Sequence, residues 1–257
     1  MNLDLKDKTA LVCGASQGLG LAIAKALAAE GCKVGLLARN TAKLDTHVQD
    51  FAAKGLAAIA LPADMGDWDT VAAALERFGK PDILVSNTGG PPPAAVTPID
   101  PNLWRKQFEA MVLNQMRLIE AVLPAMRATG FGRIINIAST SISEPMTALP
   151  LSGALRSALV NWLKLVATEA AKDGITVNTL LPGSIATERL DRLAAAEAEA
   201  RGLPLEQVMA EAAAQIPAGR YGEPKEFAAV AAFLASPRAA YVTGQSIRID
   251  GGASKSL

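Results

Sequence analysis

The sequence lacks an excess of charge of either sign and has few residues of the kinds that build metal sites and disulfide frameworks. Lysine plus arginine number 25 and aspartate plus glutamate number 25, so no net charge draws the chain towards nucleic acid or an anionic membrane. There is one histidine, and neither cysteine, Cys13 or Cys32, belongs to a metal-type spacing. We therefore predict no metal, no nucleic-acid partner and two buried, unpaired thiols.

Long apolar runs are missing as well. No segment approaches the length of a bilayer span, and residues 2–8 carry charges from the start. We therefore expect no membrane partner and a cytoplasmic protein. Hydrophobic residues nevertheless make up 50% of the 257 residues, which is enough to bury a full core. We predict a single α/β domain over residues 1–257.

Residues 9–20 form the pattern around which the rest of the chain is organised. A short apolar run is followed by a turn with Gly14, Gly18 and Gly20, and then by an alanine-rich helix that closes at Gly31. Glycines let backbone N–H groups approach an anion, and the helix points its positive dipole end at the same place. The turn is either a phosphate site or a tight connection without a ligand, and its position between a strand and a helix favours a dinucleotide.

Strands and helices alternate after this first unit. Residues 33–38, 57–61 and 82–86 have the composition of buried strands, and helices are predicted between them at 41–54 and 67–78. Such alternation requires a parallel sheet with right-handed crossovers. Ligands of these sheets bind at the carboxyl ends of the strands.

The residue that follows the second strand bears on the choice of dinucleotide. An acid at that place would hydrogen-bond the free 2′-hydroxyl of NAD, but here Ala38 is followed by Arg39. A guanidinium pairs with a 2′-phosphate and no carboxylate repels it, so we favour NADP(H) over NAD(H), with an ordinary surface arginine as the alternative. After the third strand, Asp64 is placed either to receive the adenine amino group or to cap the next helix.

Motifs further along the chain follow in a fixed order. After Gly14-x-x-x-Gly18-x-Gly20 come Asp64, Ser86-Asn87-Thr88-Gly89, Gly132-Arg133-Ile134-Ile135-Asn136-Ile137-Ala138-Ser139, Pro182-Gly183 with Thr187, and Gly244-Gln-x-Ile-x-Ile-Asp250-Gly251-Gly252. In these motifs, and over nearly the whole chain, the sequence resembles the short-chain dehydrogenase/reductase family, in particular the branch of the β-ketoacyl carrier-protein reductases. The resemblance implies a doubly wound, Rossmann-like parallel sheet of about seven strands flanked by helices, a nicotinamide cofactor, and a homodimer or homotetramer.

The resemblance and the pattern of the first turn together assign residues to the cofactor. In the family, the loop at Pro182 and Gly183, with Thr187, holds the carboxamide of the nicotinamide. The residues expected to contact NADP(H) are Gly14, Ser16, Gln17, Gly18, Leu19, Gly20, Arg39, Asp64, Asn87, Gly89, Pro182, Gly183 and Thr187.

The positions that carry the family's chemistry are altered. The family uses a tyrosine as proton donor, a lysine four residues on that lowers its pKa, a serine thirteen residues before the tyrosine, and an asparagine on the helix after the fourth strand. Ser139, placed at the end of the fifth strand, matches the serine, but the tyrosine position holds Ser152 and the lysine position holds Arg156. Met111 occupies the asparagine position and is not expected to be catalytic; Asn114, one turn further along, is the residue that would compensate.

These departures leave the proton donor open. A serine hydroxyl is a much weaker acid than a phenol, whose pKa is about 10, and an arginine does not exchange protons at ordinary pH. Ser152 and Arg156 therefore suit the binding of an anion or an oxyanion, with an arginine paired to a nearby carboxylate as the alternative. Glu144, in the loop after Ser139, is a further candidate acid or base.

Two functions are consistent with this sequence. The first is an NADP(H)-dependent oxidoreductase that acts on a carbonyl or alcohol with a non-standard proton donor. The second is a dinucleotide-binding protein with little or no catalysis and a regulatory or subunit role. By resemblance, the alanine-rich region near 188–217 is a helical lid over the substrate, and its apolar content suggests a small, partly apolar molecule.

Overall fold

One parallel sheet forms the centre of the described structure. The computed structural model describes residues 2–92 and 94–256. Its strands lie side by side in the order β3-β2-β1-β4-β5-β6-β7, and every neighbouring pair is parallel. The strands are β1 Thr9–Cys13, β2 Lys33–Ala38, β3 Ala58–Pro62, β4 Ile83–Ser86, β5 Gly132–Ile137, β6 Ile175–Pro182 and β7 Ser246–Ile249.

Helices connect the strands. In the described part of the chain they are α1 Gly18–Ala29, α2 Thr41–Ala53, α3 Trp68–Phe78, α4 Pro101–Phe108, α5 Asn114–Thr129, α6 Pro150–Ala170, α7 Glu188–Arg201, α8 Leu205–Ala214 and α9 Pro224–Ala235. A π-helical turn, Glu109–Leu113, joins α4 to α5, and a 3₁₀ turn, Thr140–Ile142, follows β5. The chain therefore alternates strand and helix from β1 to β6, as a parallel sheet requires.

The sheet is buried on both faces, which explains why its strands are apolar almost throughout. Along β1, Ala10 and Val12 pack into a core with α1, α2 and α9, whereas Leu11 and Cys13 pack into a second core with α3, α5 and α6. A smaller cluster joins α4, the π-helical turn and α6. Packing on both faces fixes the strands, so their carboxyl ends form a defined edge for a site.

The direction of the crossovers reverses between β1 and β4. The chain proceeds from β1 through β2 to β3 on one side, and from β4 to β7 on the other. The two central strands are directly paired, with Val12 opposite Val85. Loops that leave neighbouring strands in opposite directions open a crevice, which is where ligands bind in such sheets. Gly14, after β1, and Asn87, after β4, border that crevice.

This architecture confirms the predicted fold class. The second strand has the predicted ends, and the third begins and ends one residue later than expected. The placement of Ser139 was wrong, because β5 ends at Ile137 and Ser139 instead caps the following 3₁₀ turn. Its Oγ accepts a hydrogen bond from the Ser141 N–H at 3.2 Å. The strand ends early because this cap turns the backbone out of the sheet.

The two cysteines are placed as the sequence predicted. Cys13 and Cys32 are buried and unpaired, and burial raises the pKa of each thiol to about 12, so both stay protonated. Over residues 2–92 and 94–256, no three His, Cys, Asp or Glu side chains are grouped so that they could hold a metal ion. No helix within those ranges is long and apolar enough to cross a membrane.

Candidate cofactor and active site

The glycine turn between β1 and α1 has a shape that only glycine permits. Gly14 and Gly18 have positive φ angles of 65° and 58°. A Cβ on Gly14 would lie 2.5 Å from Nδ2 of Asn87, and a Cβ on Gly20 would collide with the carbonyl oxygen of Gly14. The turn is therefore closed tightly against the end of β4, and Asn87 Nδ2 donates to the carbonyl of Cys13 at 3.3 Å.

The first turn of α1 points unpaired donors out of this turn. No side chain caps the helix and no acid stands in its first turn. The N–H groups of Gly18, Leu19 and Gly20 have no acceptor among the described residues, whereas the next donor, the N–H of Leu21, reaches the carbonyl of Gln17. Unpaired N–H groups at a helix start attract an anion. The structure therefore fits a bound diphosphate at the place the sequence predicted.

The adenosine end of the site lies at the ends of β2 and β3. Arg39 is 79% exposed, and its Nη1 is 3.9 Å from Oδ2 of Asp64. The alternative reading of Asp64 as a helix cap was wrong: Asp67 caps α3 by accepting from the N–H of Asp69 at 3.1 Å. Asp64 instead accepts from the N–H of Gly66 at 2.9 Å. An exposed guanidinium with one distant partner leaves its donors free for a phosphate.

Two residues near this turn escaped sequence reasoning. Lys43, in the first turn of α2, donates from Nζ to Oε1 of Gln17 at 2.8 Å and so places a second cation beside the predicted phosphate site. Nε2 of His47 lies 2.9 Å from the carbonyl oxygen of Ser16. Because a carbonyl only accepts, Nε2 carries the hydrogen and braces the turn. The available signal was helical spacing, which puts positions 43 and 47 on one face of α2.

The loop after β6 returns to the glycine turn. Pro182 is the last residue of β6 and pairs with Ile249 of β7. A Cβ on Gly183 would lie 2.6 Å from Cβ of Asp250, so only glycine fits there. Thr187 approaches Gly18: its Cγ2 would lie 3.8 Å from a Cβ on that glycine. Residues predicted to hold opposite ends of the cofactor thus border one crevice. Around Gly89 the space is open.

Ser139 is held so that its hydroxyl hydrogen remains available. Its Oγ accepts two hydrogen bonds from Ser141, one from the N–H at 3.2 Å and one from Oγ at 2.9 Å. A hydroxyl has one hydrogen to donate and two acceptor positions, and both acceptor positions are used here. The remaining hydrogen can be donated to a ligand oxygen.

Ser152 and Arg156 form a pair one helical turn apart on α6. Nε of Arg156 donates to Oγ of Ser152 at 3.2 Å, and Nη1 donates to the carbonyl of Ile137, at the end of β5, at 2.6 Å. Nη2 donates to the carbonyl of Thr88, after β4, at 3.4 Å. Burial and, to a smaller extent, the nearby positive charge of Arg189 together lower the pKa of Arg156 to about 10. The guanidinium is still charged at neutral pH.

The sequence alternative for Arg156, pairing with a carboxylate, does not hold. Its three partners are two carbonyl oxygens and a hydroxyl, and the described residues provide it with no ion pair. The arginine spans the ends of β4 and β5 from α6. Its charge is therefore directed into the edge of the sheet where ligands bind.

The residue at the family's asparagine position has an apolar role. Met111 is 1% exposed and packs with Leu151 and Leu155 of α6. Its carbonyl, in the π-helical turn, accepts from Nε2 of Gln115 at 2.6 Å. Asn114 donates from Nδ2 to the carbonyl of Met65 at 2.9 Å, so its amide is occupied in tying α5 to the loop after β3. Neither side chain provides the family's amide to the site.

Glu144 is occupied by the carboxyl-terminal tail. Its Oε1 accepts from the main-chain N–H groups of Ser256 at 2.7 Å and Lys255 at 2.5 Å. These bonds, that of Ser256 first, lower the pKa of Glu144. The carboxylate is ionised at neutral pH, which removes it as a candidate acid. Its place in the molecule is to hold the tail against the loop after β5.

Comparison with known proteins assigns the family. A family model described as enoyl-(acyl carrier protein) reductase matches residues 14–254. The chain belongs to the short-chain dehydrogenase/reductase family. That membership confirms the resemblance drawn from the motifs, and the ketoacyl reductases among the relatives place the chain near that branch of the family.

Three relatives illustrate the likeness within the short-chain dehydrogenase/reductase family. NADPH-dependent reductase BacG of Bacillus subtilis is 33% identical over 259 residues, covering 98% of this chain and 100% of that protein. The 3-oxoacyl-acyl-carrier-protein reductase FabG of Vibrio cholerae is 35% identical over 257 residues, covering 97% and 98%. L-sorbose reductase from Gluconobacter frateurii, solved with NADPH and L-sorbose, superposes with a TM-score of 0.95 at 32% identity over 100% of both chains.

Proposed function

We propose that this protein is an NADP(H)-dependent oxidoreductase that interconverts a small carbonyl compound and its alcohol. One observation carries the proposal: two serines with hydroxyl hydrogens available, Ser139 and Ser152, stand at the same sheet edge as a turn with unpaired N–H groups. The sequence predicts NADP(H) as the cofactor. One relative is named an NADPH-dependent reductase and another was solved with NADPH, which supports that prediction.

The chain offers a donor for each charged part of NADP(H). The N–H groups of Gly18, Leu19 and Gly20 would hold the diphosphate, and Arg39 would pair with the 2′-phosphate. The fit rests on the turn itself, where a side chain on Gly14 would fill the space against Asn87. When bound, NADPH supplies the hydride that reduces a carbonyl carbon.

Ser139 stabilises the oxygen of the substrate carbonyl. As hydride reaches the carbon, the carbonyl π electrons move to the oxygen, which becomes negatively charged. Because Ser141 occupies both acceptor positions of Ser139 Oγ, the hydroxyl of Ser139 donates to that oxygen. The charge of Arg156, which reaches the end of β5 through the carbonyl of Ile137, stabilises the same developing anion.

Ser152 takes the place of the tyrosine as proton donor. The substrate alkoxide and a serine alkoxide are both anions of aliphatic alcohols, so a proton passes between them without a large change in free energy. Arg156 Nε, which donates to Ser152 Oγ at 3.2 Å, stabilises the negative charge left there until water returns the proton. The balanced reaction converts one carbonyl, one NADPH and one proton into an alcohol and NADP⁺.

The loops above the site favour a small, partly apolar substrate. Large apolar side chains are exposed after β4, where Val96 is 52% exposed, after β5, where Met146 is 43% exposed, and on α7, where Leu193 is 54% exposed. These three segments leave the carboxyl edge of the sheet on neighbouring strands. We propose that α7 and α8 form the lid over the substrate.

Turnover and binding separate this function from its alternative. NADPH oxidation is followed with a panel of ketones and aldehydes, and NADPH binding is measured by its fluorescence. Ser152→Ala should lower kcat at least about tenfold while the NADPH dissociation constant is unchanged, because only proton transfer is removed. Ser157→Ala, exposed on the same helix, is the matched control. Full turnover in Ser152→Ala would sink the proposed donor.

A second function is favoured by the missing tyrosine and lysine. In it, the chain binds NADP(H) without reducing any substrate and serves as a regulatory or companion subunit. NADPH binding without turnover of any member of the panel would support this reading. Activity that appears only in Ser152→Tyr combined with Arg156→Lys would show that the cofactor pose is intact and that the acid alone is missing.

A further inference from the structure

Two guanidinium groups meet at the carboxyl edge of the sheet without a carboxylate between them. Arg156 comes from α6 and is partly buried, with two carbonyls and the Ser152 hydroxyl as its partners. Arg189 comes from the first turn of α7 and lies against Gly90, where a side-chain carbon would collide with its Nη1, Cζ and Nη2. Because Thr88 and Gly90 belong to one loop, the two arginines border the same space.

Arg189 has no partner of its own in the described chain. It takes part in no hydrogen bond or ion pair there, although a carboxylate precedes it directly in the sequence. That carboxylate, Glu188, is turned the other way, with Oε2 3.5 Å from Nζ of Lys43 and 4.0 Å from Nη1 of Arg192. Glu144, after β5, holds the tail, and Asp250, after β7, accepts from the N–H groups of Gly252 and Ser254. Among the described residues, Arg189 is the only charged group that shifts the pKa of Arg156, so no acid close to Arg156 balances its charge.

A buried polar atom beside Arg156 also lacks a partner. Thr88 is 8% exposed, and its Oγ1 makes no hydrogen bond with the described residues, while its carbonyl accepts from Arg156 Nη2. Buried hydroxyls are almost always hydrogen-bonded in folded proteins. The Thr88 hydroxyl lacks a hydrogen-bond partner and lies beside a guanidinium group that no carboxylate pairs. A polar ligand bound here would supply the missing partner.

Bracing of the backbone would explain the contacts of Arg156, but it would not explain why Arg189 lies close to it. Arg133 shows what a bracing arginine looks like in this molecule: it is 3% exposed, donates to the carbonyls of Ser236, Gly132 and Gly174, and stacks on Phe131. Lys8 also lies over the Phe131 ring, at 4.0 Å, but burial alone lowers the pKa of Arg133. At Arg156, by contrast, burial and the charge of Arg189 together lower the pKa. Bringing like charges together is unfavourable unless an anion joins them.

We propose that the substrate carries an anionic oxygen group, a carboxylate or a phosphate, which Arg156 and Arg189 bind together beside the reacting carbonyl. The proposal rests on the oxidoreductase function above and names the substrate class for the same site. Guanidinium forks match the oxygens of such groups. Arg189 reaches the site from the proposed lid, so the anion would contact both the fixed helix α6 and α7.

The test uses the full chain saturated with NADPH, so that anions do not compete for the cofactor's own phosphate sites. Matched pairs are compared: acetoacetate with ethyl acetoacetate, phenylpyruvate with its methyl ester, and dihydroxyacetone phosphate with dihydroxyacetone. Binding is read from the change in NADPH fluorescence, and turnover from NADPH oxidation. The first two pairs report a carboxylate and the third a phosphate.

For at least one pair, the charged member should bind about tenfold or more tightly than its neutral partner. Arg189→Ala should abolish that preference, because a charge-assisted hydrogen bond is lost. Arg192→Ala, which removes the same charge from an exposed site on the same helix, should keep it. Arg156→Lys, which retains the charge but loses the fork, should weaken it.

The failures are distinguishable. If NADPH itself does not bind, the proposed oxidoreductase function fails first. If NADPH binds but no pair shows a preference for the charged member, including the case in which neither member binds, the anionic substrate is wrong. Equal preference in the wild type and Arg189→Ala would also overturn it.

Discussion

Arg39 leaves most of its guanidinium to solvent at the end of β2. Its one ion-pair partner in the described chain, Asp64, is 3.9 Å away, and both side chains are substantially exposed. Such a pair contributes little to stability, so the cost of giving Arg39 to a ligand is small. The residue is therefore placed for specificity and adds little to the fold.

Replacing Arg39 should change the cofactor preference. Arg39→Ala removes a charge-assisted hydrogen bond of about 1.5–3 kcal/mol to the 2′-phosphate, which corresponds to a loss of roughly ten- to a hundredfold in NADPH affinity. NADH affinity should be unchanged, as measured by fluorescence titration. Arg77→Ala, on the exposed face of α3, serves as the control. An equal loss for both dinucleotides would contradict the assignment.

Comparing Gly14 with Gly55 separates two effects of replacing a glycine: the strain of a positive φ angle and the loss of space beside the cofactor site. Both have a positive φ, 65° and 70°, but a Cβ on Gly14 meets Nδ2 of Asn87 at 2.5 Å while a Cβ on Gly55 meets nothing within 4 Å. Gly55→Ala should therefore lose only about 1–2 kcal/mol of unfolding free energy. Gly14→Ala should lose more and should also lose NADPH binding.

The comparison is made by chemical denaturation and by NADPH fluorescence. If Gly14→Ala is no less stable than Gly55→Ala and binds NADPH normally, the close approach of the turn to Asn87 does not matter. The glycine spacing around Gly14 could be recognised in the sequence, whereas its close approach to Asn87, after β4, required the fold. Arg189 escaped prediction for the same reason, since its place against Gly90, also after β4, depends on how α7 packs at the sheet edge.

Among the elements, α9 depends on a carboxylate at its start. Glu226 accepts from the N–H of Glu223 at 2.7 Å, completing a capping box, and from Nη1 and Nη2 of Arg220 at 2.9 and 2.7 Å. The hydrogen bonds from Arg220, and then that from Glu223, lower the pKa of Glu226 to about 2. The helix packs Phe227 and Ala231 into the core shared with α1.

The stability that Glu226 contributes should depend on pH. Its folded pKa lies below its ordinary value of 4.5, so the contribution is complete above pH 4.5 and is lost as the pH falls towards 2. Glu226→Gln should therefore be less stable than the wild type at neutral pH, and the difference should narrow below pH 4.5. Urea denaturation at several pH values measures it.

Glu206→Gln is the matched control for this prediction. Glu206 lies in the first turn of α8 and makes no hydrogen bond or ion pair with the described residues. A pH-independent difference between Glu226→Gln and the wild type would show that the carboxylate's charge is not involved.

Elements differ in how far the sequence predicts them. The strands from β1 to β4 and the helices from α1 to α3 follow from apolar runs and from glycine and Asx signals close by, whereas β5 was located through the family resemblance. The π-helical turn at Met111 does not, because it arises from packing between α4, α5 and α6 and from the side chain of Gln115, which takes the carbonyl of Met111. The altered chemical positions were visible from the resemblance to the family, but their hydrogen-bond partners required the fold.

The whole molecule presents a row of uncharged and mostly apolar side chains on the outside of α6. Ala154, Ala158, Asn161 and Leu165 are exposed at spacings that put them on one face, and Leu165 is 65% exposed. The family packs this helix against a second subunit, and we propose a homodimer or homotetramer built through it. A charge introduced on such a face would be desolvated without a partner in the assembly.

Leu165→Arg should therefore dissociate the assembly, as measured by sedimentation velocity. Leu193→Arg, at a site 54% exposed on α7, introduces the same charge away from the face and should leave the oligomer unchanged. A monomeric wild type, or a Leu165→Arg variant that sediments like the wild type, would remove α6 from the interface.

Glu188 and Arg189 are consecutive residues that serve different halves of the crevice. Glu188 meets Lys43, which holds Gln17 of the glycine turn, and Arg189 lies against Gly90 near Arg156. A shift of the first turn of α7 therefore alters both contacts at once. We therefore expect this single helical turn to couple the two halves, and by linkage each ligand then changes the affinity of the other by the same factor.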